Sequence, residues 1–425
     1  MRRNKLVILT QYFPPEMGAP QSRLYELAVG LQERGWEVQV VTAMPNYPTG
    51  KIFTAYQNKF FASETVQGIP TYRYWLYASN AKSALPRILS MLSFSFTGLW
   101  SWQRLKRFRP DFILTESPPL TLGLSGLLLT RLLKTKHILN VSDLWPLTAY
   151  ELGAMSKGLI YKLLERLESY LYKTADVCLG QSQQIVDHLN THGARKAWLF
   201  RNGVETERFV PFRQSEKTFA APLKLVYGGL LGVAQGILAM CRAIDFRTLN
   251  LEFYIYGAGA EQEELKLFLQ QHPDRNIFFH GSVSREQMPQ TLMQYDLTLI
   301  PLQKAIYGAV PSKIYEAMAA GLPILFAGGG EGAEIVAQYD LGWVCEPSDF
   351  EAIQKTLIQI QQTDSAVLKL KRDNCLKAAN TIFNRAIQIQ QLHENLLTTF
   401  LPAKKSHTNP QPQSETKIIS DFLAK

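Results

Sequence analysis

Cysteine is scarce in this chain: four in 425 residues, Cys178, Cys241, Cys345 and Cys375. They are widely spaced and form no CxxC pair, which excludes a disulfide scaffold or a thiolate metal site and fits a reducing compartment. Long apolar runs are also lacking. The uncharged centre of the segment 82–109, Ile88 to Gln103, has sixteen residues, short of the ~20 that span a bilayer. A secretory leader is not expected, because the apolar run from Lys5 to Thr10 ends at once in a polar loop. No zinc-type or other nucleic-acid signature occurs, and no metal-ligand cluster. Acid is missing altogether between Lys82 and Arg109, which carry six Lys/Arg.

What is present is a chain too long for one core, with 46% hydrophobic residues and a net charge of +9. Two domains are expected. The charge is uneven: residues 1–210 hold 25 Lys+Arg against 15 Asp+Glu, and residues 211–425 hold 20 against 21. The first half therefore faces something anionic, and without a nucleic-acid motif a lipid surface is the natural candidate. The segment 82–109 concentrates that surplus and carries Phe94, Phe96, Trp100 and Trp102. Basic flanks around an aromatic, apolar centre suit a helix lying in the headgroup region; a buried helix with basic ends is the alternative.

The first half alternates apolar runs with amphipathic segments. Leu6–Leu9 reads as a buried parallel strand, then a loop Tyr12-Phe13-Pro14-Pro15-Glu16-Met17-Gly18-Ala19-Pro20, then a helix over Ser22 to Arg34, then a strand over Val38–Val41. Open α/β sheets bind ligands at such carboxyl-end loops. Gly18 can bring backbone near a phosphate or sugar, and Arg23 either answers a diphosphate or pairs on the helix surface. Strands are expected at Thr71–Trp75, Asp111–Leu114, His137–Val141 and Val177–Leu179. Asp143 stands in the loop after the third of these, as an active-site acid or as a turn cap. Ser182 should cap the helix that ends near Gly193.

A polar stretch, 211–222, separates this from a second α/β rhythm. Its strand ends carry Gly or Ser: Gly228-Gly229 through Gly232 and Gln235, Gly257-Ala258-Gly259, and Gly281-Ser282-Val283-Ser284. Together they outline a nucleotide crevice, although none is a full dinucleotide fingerprint. The centre of this half is Pro311–Pro323, a short helix with Ser312 as expected N-cap and Gly321 as left-handed C-cap. Ile314, Tyr315 and Met318 share a core face, while Lys313 and Glu316 share another. A cation beside a helix N-terminus suits phosphate; a solvated Lys–Glu pair is the plain alternative. Gly329, Gly330 and Glu331 follow the next strand.

In order and spacing, the loop 12–19 with Arg23, Pro45-Asn46-Tyr47-Pro48-Thr49-Gly50, Asp143-Leu144-Trp145-Pro146, Arg201-Asn202-Gly203-Val204, Gly232–Gly236, Tyr256–Gly259 and Pro311–Met318 carry a resemblance over about residues 5–400. The chain resembles the family 4 retaining glycosyltransferases of the GT-B fold, in the bacterial branch that includes colanic-acid and fucosaminyl transferases. The resemblance implies α/β architecture with two Rossmann-like parallel-sheet domains facing across a cleft: 1–210 for the acceptor and 211–380 for the sugar nucleotide. A helix over 381–402 would return to the first domain, with a disordered tail over 403–425.

The implied donor is a UDP- or GDP-linked sugar, with no cofactor and no essential metal. The implied acceptor is a lipid-linked saccharide, met at the cytoplasmic face of a membrane. Glu316 matches the second glutamate of the family's Glu-x7-Glu pair, whose first member falls on Gly308. Where many members place an Arg and a Lys after the first strand of the second domain, this chain has Gly232 and Gln235, so Lys313 is the candidate to neutralise the leaving diphosphate. Asp143, Lys313 and Glu316 are the expected catalytic groups. Gly18, Arg23, Gly229, Gly232, Gln235, Gly257, Gly259, Val283, Ser312, Gly329, Gly330 and Glu331 are expected at the donor. Two other readings share the architecture: a sugar-nucleotide epimerase, and a non-catalytic nucleotide-binding partner of a polysaccharide assembly.

Overall fold

Buried β-branched runs and glycine-punctuated loops build two separate sheets in the computed structural model, which describes residues 3–16, 18–81, 84–213 and 217–401. The first sheet holds β1 (Lys5–Leu9), β2 (Glu37–Ala43), β3 (Phe61–Val66), β4 (Ile69–Tyr74), β5 (Phe112–Ser117), β6 (Lys136–Val141), β7 (Val177–Gly180) and β8 (Ala197–Leu199), in the order β3-β4-β2-β1-β5-β6-β7-β8. All its pairings are parallel except β3–β4. That hairpin is absent from the sequence reading, which has only the β4 segment as a strand. Gln67 and Gly68 both take positive φ at its turn, the twist that closes a tight hairpin.

Helices cover both faces of this sheet. The connecting segments are α1 (Ala19–Glu33), α2 (Ala84–Thr97), α3 (Trp102–Phe108), α4 (Leu120–Leu133), α5 (Leu147–Glu151), α6 (Leu159–Thr174) and α7 (Gln183–Thr191). On one face Val7, Leu9 and Ile113 pack with Phe94, Leu105, Leu122 and Leu129, beside a contiguous cluster of Leu127, Leu139 and Leu171. On the other face Leu6, Ile8 and Leu114 pack with Leu24, Leu27 and Leu31 of α1. The apolar centre of 82–109 is not one helix: a short 3₁₀ segment at Gly98–Ser101 separates α2 from α3. Lys82 and Ser83, the start of that segment, lie outside the described residues, as does the tail expected over 403–425.

The second sheet holds β9 (Leu223–Gly228), β10 (Leu251–Tyr256), β11 (Ile277–Gly281), β12 (Leu297–Pro301), β13 (Ile324–Ala327) and β14 (Gly342–Cys345). Its order is β11-β10-β9-β12-β13-β14, all parallel. Counted from β9 this is the doubly wound Rossmann order, and it places a crevice where β9 and β12 diverge. The helices are α8 (Ile237–Ala243), α9 (Gln262–Gln271), α10 (Met288–Leu292), α11 (Lys313–Ala320), α12 (Glu331–Gln338), α13 (Phe350–Gln361), α14 (Ser365–Asn380) and α15 (Arg385–Phe400). The last of these leaves the second domain. Ile389, Leu392 and Leu396 bury themselves against α1 and the first sheet, so the chain crosses between the domains twice.

Candidate active site

Helix α11 begins at the switch point between β9 and β12. Its C-terminus follows the sequence: Gly321 takes φ 64°, and its N–H donates to the carbonyls of Ala317 and Met318. Ile314, Tyr315 and Met318 are buried in the core cluster under it. Its N-terminus corrects the expected cap. Ser312 has helical backbone angles and its hydroxyl makes no capping bond; its carbonyl instead accepts from the N–H groups of Tyr315 and Glu316. Ser312 and Glu316 both line a cavity of about 460 Å³ between the domains.

Lys313 turns toward the loop after β9. Its Nζ stands 5.3 Å from the centroid of the Tyr227 ring, a cation–π arrangement. A side chain on Gly229 would bring a Cβ within 2.6 Å of that Nζ, and Gly229 has φ 152°. The glycine is therefore what lets the ammonium lie against the β9 loop. Burial lowers the pKa of Lys313, with Glu316 opposing the shift. Burial raises that of Glu316, against the pull of Arg208, Lys313 and Arg285. The two groups thus meet at one helix end, partly withdrawn from water, where charge is worth more than in solvent.

The other glycines of this domain have packing roles. A Cβ on Gly257 would overlap the carbonyl of Gly229, and one on Gly259 that of Leu231. The Gly257–Gly259 loop is glycine-rich so that the loops after β9 and β10 can touch, a packing reason for these glycines that needs no ligand. Gly232 is less constrained: a Cβ there would lie 3.2 Å from Gln235 Oε1, a buried acceptor without a hydrogen-bond partner. Val283 lies in the loop after β11 and is absent from the lining of the cavity. Gly329 abuts Ala305, and Gly330 takes φ 68° at the start of α12.

Across the cleft, Gly18 and Arg23 line the same cavity. Arg23 is committed to its own domain: it pairs with Glu116 at 2.5 Å and donates to Ser142 Oγ at 2.7 Å and Asn202 Oδ1 at 3.2 Å. A buried guanidinium needs such partners, so its role is to hold the loops after β5 and β6 together rather than to meet a diphosphate. Asp143 stands beside this network. The residue is exposed to solvent, while neighbouring protein desolvates its carboxyl. Desolvation raises its pKa to about 6, Arg23 lowers it and Glu116 raises it again; the exposure makes this elevation an upper bound.

Glu331 also departs from expectation. Its buried carboxylate pairs with Arg201 and accepts from the Gln184 N–H at 2.9 Å. It fastens α12 to the first domain and is spent as a donor ligand. The loop carrying Gly308 crosses the gap as well. Gly308 O accepts from Ser182 Oγ at 2.8 Å, Gly308 N donates to Gln184 Oε1 at 2.9 Å, and Lys304 Nζ donates to the Glu151 carbonyl at 2.6 Å. Gly308 has φ 81°, and a Cβ there would come within 2.8 Å of Ile185. A glutamate would not fit this docked loop. Ser182 still caps α7, accepting from Ile185 N–H at 3.2 Å.

Sequence reasoning missed the cations at the hinge. Arg208 and Arg285 line the cavity with Glu26 and Glu205. Arg285 pairs with Glu26 and, at 3.6 Å, with Glu205, while Arg385 holds Glu26 at 3.0 Å. These residues lie on α1, the hinge, the β11 loop and α15, so no local pattern marks them. Sequence spacing also hid a group of possible metal ligands: Glu168, His188 and His192 of α6 and the end of α7, all within 4.8 Å of one another.

Comparison with known proteins agrees with this geometry. The glycosyl transferase 4-like domain profile matches residues 18–203, and that of the glycosyl transferases group 1 matches residues 214–380. WcaI of Escherichia coli K12, described as a colanic acid biosynthesis glycosyl transferase, is 25% identical over 413 residues, 93% of this chain and 98% of its own. Among solved structures, sucrose-phosphate synthase from Thermosynechococcus elongatus superposes with TM-score 0.70 at 17% identity, over 93% of this chain and all of that one. Anabaena HepE in complex with UDP superposes with TM-score 0.67 at 16% identity, again over 93% and 100%. With both halves matched in order, the chain joins a glycosyl transferase 4-like domain to a glycosyl transferases group 1 domain in the GT-B fold.

Proposed function

We propose that the protein transfers a glycosyl unit from a nucleoside-diphosphate sugar, UDP- or GDP-linked, to a lipid-linked saccharide, with retention of anomeric configuration, in exopolysaccharide assembly. The observation that carries this reading is Lys313 at the head of α11, held between Tyr227 and the Gly229 loop with Glu316 one turn on. As the glycosidic bond breaks, negative charge grows on the departing diphosphate. A pre-positioned cation with a helix N-terminus stabilises that charge more than the ground state, which is what accelerates the step. Glu316 lines the cleft where a ribose would lie, and we assign Asp143, next to Ser142 of the Arg23 network, to the acceptor side. The bridges from Arg285 and the Gly308 loop favour a closed gap, in which transfer competes better with hydrolysis.

The likeness to WcaI over nearly the whole of both chains supports an exopolysaccharide acceptor. No helix among the described residues is long and apolar enough to cross a membrane. From the basic, aromatic character of 82–109 we assign the protein a peripheral place on the cytoplasmic face of a membrane, with contact through that segment. The test is incubation of the purified chain with a panel of sugar nucleotides and membrane extract. The expected result is one donor consumed and a lipid product heavier by one sugar, with the donor's anomeric configuration read by NMR. Hydrolysis without a product, or inversion, overturns the reading.

A further inference from the structure

Three helices of the first domain leave their outward faces unpartnered. Helices α2, α4 and α6 lie side by side on one face of the sheet, their inner sides in the adjoining clusters around Phe94, Leu122, Leu127 and Leu171. Their outer sides are apolar. On α2, Ile88, Leu92 and Phe96 are exposed, Phe96 by 64%. On α4, Leu124, Leu128 and Leu132 repeat every four residues along the exposed side, reaching 60% at Leu132. On α6, Leu159, Ile160 and Leu163 are exposed by 74%, 67% and 53%. A continuous apolar layer of this kind on a soluble domain marks a contact surface.

Charge identifies what covers it. Helices α2, α4 and α6 carry five Lys/Arg and two acids, and the flanking residues 98–109, 134 and 157 add six more Lys/Arg. Those acids are Glu165, half-buried, and Glu168, buried. A second copy of the same face would meet like charge, whereas an anionic lipid surface meets both the cations and the apolar side chains. We propose that the α2–α4–α6 layer as a whole is the bilayer-binding face, with α4 and α6 contributing as much as the 82–109 segment; this deepens the membrane contact proposed above and rests on it. Helices α4 and α6 run back from the carboxyl ends of their strands, so their N-termini stand at the carboxyl edge of the sheet, and the C-terminal end of α2 lies at the same edge, Thr97 Oγ1 donating to the Trp75 carbonyl at 2.5 Å. A lipid-anchored saccharide held by this face would present its sugar at the cleft mouth.

The test is co-sedimentation of the full chain with vesicles of phosphatidylglycerol and phosphatidylcholine, and with phosphatidylcholine alone. Three variants are compared: Leu128→Glu/Leu132→Glu on α4, Leu159→Glu/Ile160→Glu on α6, and Trp100→Glu/Trp102→Glu. We expect wild type to bind anionic vesicles at least tenfold better than neutral ones, and the α4 and α6 variants each to lose at least tenfold with circular dichroism and donor hydrolysis unchanged. If only the tryptophan variant loses binding, the three-helix face is wrong and the 82–109 contact stands. If no variant loses binding, both fail. If the wild type is a dimer that the α4 and α6 variants dissolve, without vesicle binding, the occupant is a second copy and the proposal is overturned.

Discussion

Replacing Lys313 by alanine separates catalysis from folding. The ammonium sits against Tyr227 and Gly229 at the head of α11, where burial already works against its charge. A unit charge about 4 Å from a departing phosphate contributes roughly 4 kcal/mol at an effective dielectric of about 20. Removal of a comparable fixed donor costs about 10²–10³ in kcat, and each ~1.36 kcal/mol is tenfold. We therefore expect Lys313→Ala to lower kcat by about 10²–10³ with a smaller rise in donor KM, up to about fivefold, because the diphosphate is already anionic when bound and gains further charge as the bond breaks. Stability should change little: the cation–π attraction to Tyr227, ~0.5–2 kcal/mol, is offset by relief of the buried charge. A Tm within about 4 °C of wild type is the expected control. The assay is steady-state release of nucleoside diphosphate with saturating acceptor, beside a thermal melt. A variant that folds and turns over within threefold of wild type refutes the assignment.

Asp143 should appear as an acid limb. Desolvation raises the Asp143 pKa toward an upper bound of about 6, so the carboxylate loses its charge at or below that pH. If it receives the acceptor's proton, kcat/KM falls tenfold per pH unit below that pKa in wild type and loses that limb in Asp143→Asn; an unchanged limb in the variant excludes it. Gly308→Glu, which restores the missing glutamate, places a side chain at φ 81° against Ile185. It should cost about 1–3 kcal/mol in urea unfolding without raising kcat; a faster, equally stable variant would contradict the docked-loop account. Glu331→Gln leaves Arg201 without its carboxylate, both side chains being largely buried. About 3 kcal/mol of stability should disappear with donor KM within twofold of wild type; a large rise in KM at full stability would return Glu331 to the donor site.

Much of the framework is legible in the chain because it is local. The Leu6–Leu9, Asp111–Leu114 and His137–Val141 runs become the central strands of the first sheet, and Gly321 ends α11 in the left-handed turn that only a residue without Cβ takes easily. The hairpin β3–β4 escaped because β3 alternates exposed and half-buried residues at the sheet edge, so no apolar run announces it. Among site residues the errors share one origin. Arg23 and Glu331 are charged groups near a cleft, and a linear reading cannot tell a ligand contact from a buried pair whose partner lies 93 or 130 residues away. The Gly257–Gly259 loop looks like a phosphate cradle because close backbone approach demands glycine whether the neighbour is a ligand or another loop.

By itself the sequence determined the two α/β halves, the helix that ends at Gly321 with Lys313 and Glu316 on its polar side, and the cationic excess of the first half. These follow from periodicity, end signals and composition, which act over a few residues or simply add up. Only the tertiary structure decided which charges are free to act. It committed Arg23 to Glu116 and Glu331 to Arg201, drew Arg208 and Arg285 to the hinge, and set α2, α4 and α6 in one layer. The reason is that a buried charge must find a partner wherever the fold brings one within reach, and that reach is set by strand order, not by distance along the chain.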